Sequence, residues 1–273
     1  MASLKVRFIS AIILIPIVII ATLSGGWLYA LLIGCVTLIC CFEYVRMLER
    51  KGYRPSLLFV SIINVLWLAD AFDLWGSWTL PVLAVVYFAT VVWALYDYNR
   101  YPADGKTTAN WALTIAGSIY IGISGSFCLR LRIFPDGLWW TLLALPTVWI
   151  GDTFAYFIGS RWGKHKMFPA ISPAKSWEGY ISEVISTLLV GAGFGTLWPL
   201  LANSPTNLTP LKGMALGGAL GLLTPVGDFF ISMIKREAGV KDSGNLIPGH
   251  GGMLDRTDSL FWAVFLAWIF ARL

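Results

Sequence analysis

Residues 211–234 read LKGMALGGALGLLTPVGDFFISMI. Twenty-four positions carry one lysine near the start and one aspartate near the end, and nothing else that is charged. About 20 consecutive apolar residues suffice for a helix to cross the hydrocarbon core of a bilayer. The stretch then runs into Lys235 and Arg236 and a long polar segment. This is the pattern of a membrane helix that ends at a charged surface.

The rest of the chain repeats that pattern. Hydrophobic residues make up 57% of the 273 positions and charged residues 13%, against roughly 25% charged in soluble domains. Apolar stretches occur near 8–25, 27–45, 57–72, 78–96, 109–129, 138–159, 180–201, 211–234 and 257–272. They lack the apolar–polar alternation of barrel strands. The expected fold is all-α and polytopic, with about nine transmembrane helices. The third and ninth stretches are short and call for tilt or local thinning of the bilayer. The first follows Lys5 and Arg7 as a signal peptide would. Its length, and the lack of a convincing small-residue cleavage site, favour a retained helix.

Positive charge sets the orientation. With the N-terminus in the cytoplasm, only Arg130, Arg132, Lys212 and Arg272 fall outside, and the other sixteen of the 20 Lys and Arg fall inside. The loop around Arg130 and Arg132 is the local exception. The net charge of +5 then reports topology and favours anionic headgroups on the cytoplasmic face. Nothing points to nucleic acid. Cys35, Cys40, Cys41 and Cys128 lie in apolar segments with no CxxC pair, so buried free thiols are expected. Two histidines are too few for a His-rich metal centre.

The organisation changes near residue 136. Residues 1–135 read as a transmembrane scaffold with short, plain loops. Residues 136–273 read as the catalytic part, with cytoplasmic segments 160–179 and 235–256. Gly151-Asp152-Thr153-Phe154 and Gly227-Asp228-Phe229-Phe230 both follow a proline and precede a basic helix end. Both aspartates would lie roughly 10 Å inside that end at 1.5 Å per residue. An aspartate in an apolar helix costs about 2.5–3.5 kcal/mol at the bilayer centre, so a matched pair points to a polar cavity open to the cytoplasm. Asp228, Ser232 and Lys235 share one helical face. Gly213, Gly217 and Gly221, with Gly191 and Gly195 on the preceding helix, are spaced for backbone-to-backbone packing in lipid.

Two polar segments supply the chemistry. Ser172, Lys175, Ser176 and Glu178 precede a helix whose positive N-terminal end favours anions. The run Gly159–Lys164 lacks the length and the final Ser or Thr of a Walker motif. In the second segment, Lys235, Arg236, Lys241, His250 and Arg256 stand beside Asp242, Asp255 and Asp258, with Gly249, Gly251 and Gly252 between them. Carboxylates at 228 and 255, the latter with Asp258 placed just before the last helix, suit Mg²⁺, which prefers oxygen ligands. The lysines and arginines suit phosphates and a departing pyrophosphate. Positioning and electrostatics do most of the work in such transfers. A phosphate monoester nucleophile, largely dianionic at neutral pH, needs no strong base.

From Ser232 to Asp258 the chain resembles the phosphatidate cytidylyltransferases, also called CDP-diacylglycerol synthases. The residues that carry the likeness are Ser232, Lys235-Arg236, Lys241-Asp242, Gly244, Ile247-Pro248, His250-Gly251-Gly252, Asp255-Arg256 and Asp258. The Ser-Pro-x-Lys-x-Trp-Glu-Gly run at 172–179 and the Gly-Asp-x-x-Ala-Tyr run at 151–156 extend it. The resemblance implies that phosphatidate and CTP give CDP-diacylglycerol and pyrophosphate at the cytoplasmic face of the membrane (the plasma or inner membrane, if bacterial). It maps the Mg²⁺-binding aspartates to Asp228 and Asp255. A monovalent cation such as K⁺ and a homodimer are also implied. Asp152, Lys175 and Asp258 are the expected catalytic groups. Ser172, Glu178, Ser232, Lys235, Arg236, Lys241, Asp242, His250 and Arg256 are the expected substrate-binding groups. The residues alone stop at a metal-assisted phosphate enzyme of the inner leaflet. A lipid kinase, a CDP-alcohol phosphotransferase and a transporter stay open at that level.

Overall fold

The computed structural model describes residues 4–74, 76–202, 206–246 and 251–273. Among these residues it is all-helical, with one isolated bridge between Lys166 and Ser176. The helices are α1 (Leu4–Ser24), α2 (Gly26–Glu49), α3 (Leu57–Asp70), α4 (Thr79–Arg100), α5 (Thr107–Ile133), α6 (Gly137–Trp162), α7 (Trp177–Leu201), α8 (Pro210–Glu237) and α9 (Leu254–Arg272). Each overlaps one of the nine apolar stretches. Six described helical segments are long and apolar enough to cross a membrane: α2, α4 with the short turn before it, and α5 to α8. The chain is an integral membrane protein.

Local chemistry sets several boundaries. Gly25 and Gly26 take φ of 63° and 54°, a conformation that side chains disfavour, and the chain breaks there between α1 and α2. Ser56 caps α3 by accepting from Phe59 N–H, and Ser176 caps α7 by accepting from Gly179 N–H. Arg130 and Arg132, the exceptions to the charge rule, lie in the last turn of α5, where the helix dipole favours cations. The last helix starts earlier than the apolar pattern implies. Asp255 and Asp258 were expected before it, but both lie within its first turns.

The chain divides into two compact units. Residues 1–129 and 237–255 form the first, and residues 130–236 and 256–273 the second. In the first unit, polar side chains tie the apolar helices together. Tyr44 donates to the Leu113 carbonyl at 3.0 Å, with its ring filling the space that a side chain at Gly117 would need. Asn64 donates to Thr37 at 3.1 Å, and both are buried. Cys40, Cys41 and Cys128 are buried free thiols, as expected. Cys35 is free but exposed on the apolar surface of α2.

In the second unit, glycine decides the packing. A Cβ on Gly191 would come 2.3 Å from the Gly213 carbonyl oxygen, and one on Gly217 would come 2.1 Å from that of Thr187. Gly195 and Gly221 meet α8 and α7 backbone in the same way. α7 and α8 thus touch main chain to main chain, as the spacing implies. Van der Waals contact between small residues replaces the hydrophobic drive that lipid does not supply.

Candidate active site

The second unit builds a charged cluster among α6, α7, α8, α9 and the 163–176 connection. Two glycines make room for it. Gly151 lies against Thr187 and Glu183 of α7, where an added Cβ would come 2.5 Å from Thr187 Cγ2. Gly227 lies against α9, where a Cβ would come 2.4 Å from the Asp258 carbonyl oxygen. The residues that follow these glycines are Asp152 and Asp228. The two Gly-Asp pairs therefore share a physical role: each glycine admits a neighbouring helix beside a carboxylate.

Asp228 is the hub. Its Oδ2 is 2.6 Å from Lys175 Nζ, and its Oδ1 accepts a hydrogen bond from Ser232 Oγ at 3.2 Å. Ser232 is one turn further along α8, as the shared face requires. Lys235, on that face too, is buried and acts electrostatically on Asp228 and Asp258. Asp258 is 6% exposed, and its Oδ1 accepts from Ser259 N–H at 2.7 Å. Asp152 is exposed by surface area yet closely surrounded by protein, as a group on the wall of a recess is. It feels Lys175, Asp228 and Arg256.

Lys175 reaches this cluster from the connection between α6 and α7. Met167 N–H donates to the Lys175 carbonyl at 3.3 Å, Lys175 N–H donates to the Ser172 carbonyl at 3.3 Å, and Trp177 N–H donates to the His165 carbonyl at 2.9 Å. Arg236 Nε holds the same connection from α8 through the Ile171 carbonyl at 3.0 Å. The Lys175 ammonium also lies 4.7 Å from the Phe229 ring centroid, a favourable place for a cation. Burial works against its charge, but Asp228, Glu183 and Asp152 outweigh that cost. The ammonium is held above the ordinary lysine range.

Glu178 has a structural occupation. Its carboxylate accepts from His165 N–H and lies 2.7 Å from the His165 ring, pinning the connection where α7 begins. Glu183, which the sequence reading passed over, is 3% exposed and adds a carboxylate to the field around Lys175. An acid in an apolar stretch was the available signal, the same one that singled out Asp152 and Asp228.

The first unit holds the other group of site residues. Asp255 Oδ2 accepts from Ser243 N–H at 2.8 Å and Gly252 N–H at 3.1 Å. Gly251, at φ 86°, lies between Asp255 and Asp242. Lys241 and Asp242 are exposed. A second overlooked acid, Glu43 of α2, is buried at 3% exposure against this segment. His250 lies outside the described residues, as do Ile247, Pro248 and Gly249.

The donor chemistry fits Mg²⁺. Asp152, Glu183, Asp228 and Asp258 bring carboxyl oxygens together in the second unit. Oxygen is the ligand type that the ion prefers, and one or two carboxylates suffice when substrate phosphates complete the shell.

Helices that cross a membrane and a carboxylate–lysine cluster set among them define an integral membrane protein with an internal charged site. The chain belongs to the cytidylyltransferase family, whose model matches residues 5–273. It is similar to the phosphatidate cytidylyltransferase of Haemophilus influenzae, 34% identical over 96% of each chain. It is also similar to those of Synechocystis, at 31% identity over 98% of this chain and 96% of the relative, and of Bacillus subtilis, at 28% over 99% of both.

Proposed function

We propose that this protein transfers the cytidylyl group of CTP to phosphatidate, releasing pyrophosphate and forming CDP-diacylglycerol for phospholipid synthesis. The observation that carries this reading is the Lys175–Asp228 pair at 2.6 Å, within a chain that matches the family along nearly its whole length. The pair holds a phosphate-binding cation against a carboxylate suited to a metal. Phosphatidate comes from the bilayer and CTP from water, and a charged site among membrane helices suits both.

The roles follow from side-chain chemistry. Lys175, Lys235, Arg236, Lys241 and Arg256 bind phosphate oxygens, and Lys175 exchanges Asp228 for a phosphate when substrate enters. Ser232 orients Asp228, while Ser172 and Glu178 shape the connection that delivers Lys175. Asp152 and Asp258 set the charge around the reacting phosphate. Asp242 and His250 complete the polar segment. Asp228 and Asp255 are the carboxylates assigned to Mg²⁺. The bound ion would offset charge on the CTP phosphates and on the departing pyrophosphate. A monovalent cation and a homodimer belong to the same reading. So do nine crossings, a cytoplasmic N-terminus, a site facing the cytoplasm, and the division of labour between a scaffold and a catalytic part.

The deciding experiment follows products. Purified protein with CTP, phosphatidate and Mg²⁺ is expected to release pyrophosphate and CDP-diacylglycerol in equal amounts. Release of a nucleoside diphosphate would indicate a lipid kinase, and absence of both would remove the assignment.

A further inference from the structure

We propose that Glu43, far from the site residues in sequence, is a positioning residue that fixes Asp255. This inference rests on the assignment of Asp255 to Mg²⁺. Glu43 lies in α2, a 24-residue apolar helix, and is 3% exposed. A buried carboxylate is tolerated only where donors surround it. Its Oε1 accepts from Met253 N–H at 2.9 Å, and its Oε2 accepts from Leu254 N–H at 2.9 Å. These are amides at the start of α9, which have no partner within their own helix. The negative charge also suits the positive end of the helix dipole. Glu43 thus caps α9 from another helix, which accounts for its start ahead of Asp255.

Ser243 links this cap to Asp255. Its Oγ is 2.8 Å from Glu43 Oε2 and 3.0 Å from Asp255 Oδ2, and its N–H donates to Asp255 Oδ2. A hydroxyl has one hydrogen, so the two carboxylates share one donor. Glycines close the arrangement. A Cβ on Gly244 would come 2.4 Å from Glu43 Oε1, and one on Gly252 would come 2.0 Å from Ser243 Oγ. Neither Gly244 nor Gly252 has space for a side chain beside Glu43. Asp255 Oδ2 is thereby anchored, which sets the direction in which its Oδ1 stands. Glu43 acts on the reaction only through Asp255.

The test uses the full-length protein in detergent, with Mn²⁺ as the probe and electron paramagnetic resonance to count bound ion. Asp255→Asn is expected to weaken Mn²⁺ binding at least tenfold. Glu43→Gln replaces one acceptor oxygen by a donor, and is expected to weaken Mn²⁺ binding at least fivefold. It should also lower kcat at least tenfold while the KM for CTP changes less than threefold. A cap that merely stabilised the fold would leave Mn²⁺ affinity unchanged in folded protein. If Glu43→Gln does not fold, Ser243→Ala decides, since it keeps both backbone bonds to Glu43; at least threefold weaker Mn²⁺ binding is expected. Wild-type affinity in the deciding variant, with binding lost in Asp255→Asn, overturns the role of Glu43 and leaves the assignment of Asp255 standing. Wild-type affinity in Asp255→Asn removes that assignment and the role of Glu43 with it.

Discussion

Lys175 Nζ stands 2.6 Å from Asp228 Oδ2, joining the α6–α7 connection to the middle of a charged cluster on α8. The two residues belong to separate motifs in the sequence, and their meeting turns two polar runs into one site. A phosphate that enters must compete with Asp228 for the ammonium. Burial works against the charge of that ammonium, but Asp228 foremost, with Glu183 and Asp152, holds it above the ordinary lysine range. Lys175 is therefore ready to bind an anion without a proton being gained first.

Lys175→Ala is expected to lower kcat/KM at least tenfold, or about 1.4 kcal/mol. Lys166 lies in the same connection but is exposed. Lys166→Ala should change kcat/KM less than threefold. Steady-state kinetics with CTP and phosphatidate checks both. Equal small effects would reduce the connection to a topology signal.

Asp228→Asn and Asp255→Asn are each expected to abolish turnover in protein that still inserts and purifies. Loss of one charge from a Mg²⁺ ligand should cost several powers of ten in rate. Raising Mg²⁺ should restore little. Near-normal turnover in either variant would exclude that residue as a ligand.

Hydropathy made the helices legible, because lipid demands long apolar runs with every backbone group paired inside them. The α7–α8 contact was legible too, since four-residue glycine spacing leaves few other uses. Asp228, Ser232 and Lys235 could be placed on one face by helical period alone. Glu43 and Glu183 were not found, although the cost argument applied to Asp152 and Asp228 holds equally for them. Neither follows a glycine directly, as Asp152 and Asp228 do, and only tertiary structure shows what surrounds them. The start of α9 was misplaced for a related reason: its cap comes from α2, and no local pattern near residue 254 announces it. The purpose of Gly151 and Gly227 needed coordinates as well, since the partners they admit, Glu183 and Asp258, lie on other helices.

Gly217→Ala is expected to destabilise the protein, because its Cβ would fall 2.1 Å from the Thr187 carbonyl oxygen. Backbone cannot rotate aside as a side chain tip can, so α7 and α8 must separate. Overpacking of this kind costs about 1–3 kcal/mol. Gly193→Ala, on α7 with nothing within 4 Å of the added methyl, is the control. Thermal unfolding in detergent should show a lower midpoint for Gly217→Ala and an unchanged one for Gly193→Ala.

The last prediction concerns the faces of the membrane. On the proposed topology the α6–α7 connection is expected in the cytoplasm, and an odd number of crossings would put residue 273 on the opposite side. Six helical segments among the described residues meet the length and hydropathy needed to cross. The further crossings in question are α1, α3 with 14 residues, and α9, which carries Asp255, Arg256 and Asp258 near its start. α9 decides the side of residue 273. Its charges gather in the first turns, leaving residues 259–271 without charge, and its first turns can meet a polar site while the remainder enters lipid. Single cysteines at positions 166 and 273 test this in a background without Cys35, Cys40, Cys41 and Cys128. Membrane-impermeant maleimide applied to sealed, oriented vesicles should label position 166 only from the cytoplasmic side and position 273 only from the other. Labelling of both from one side would mean an even number of crossings between them, and the nine-helix topology would fail.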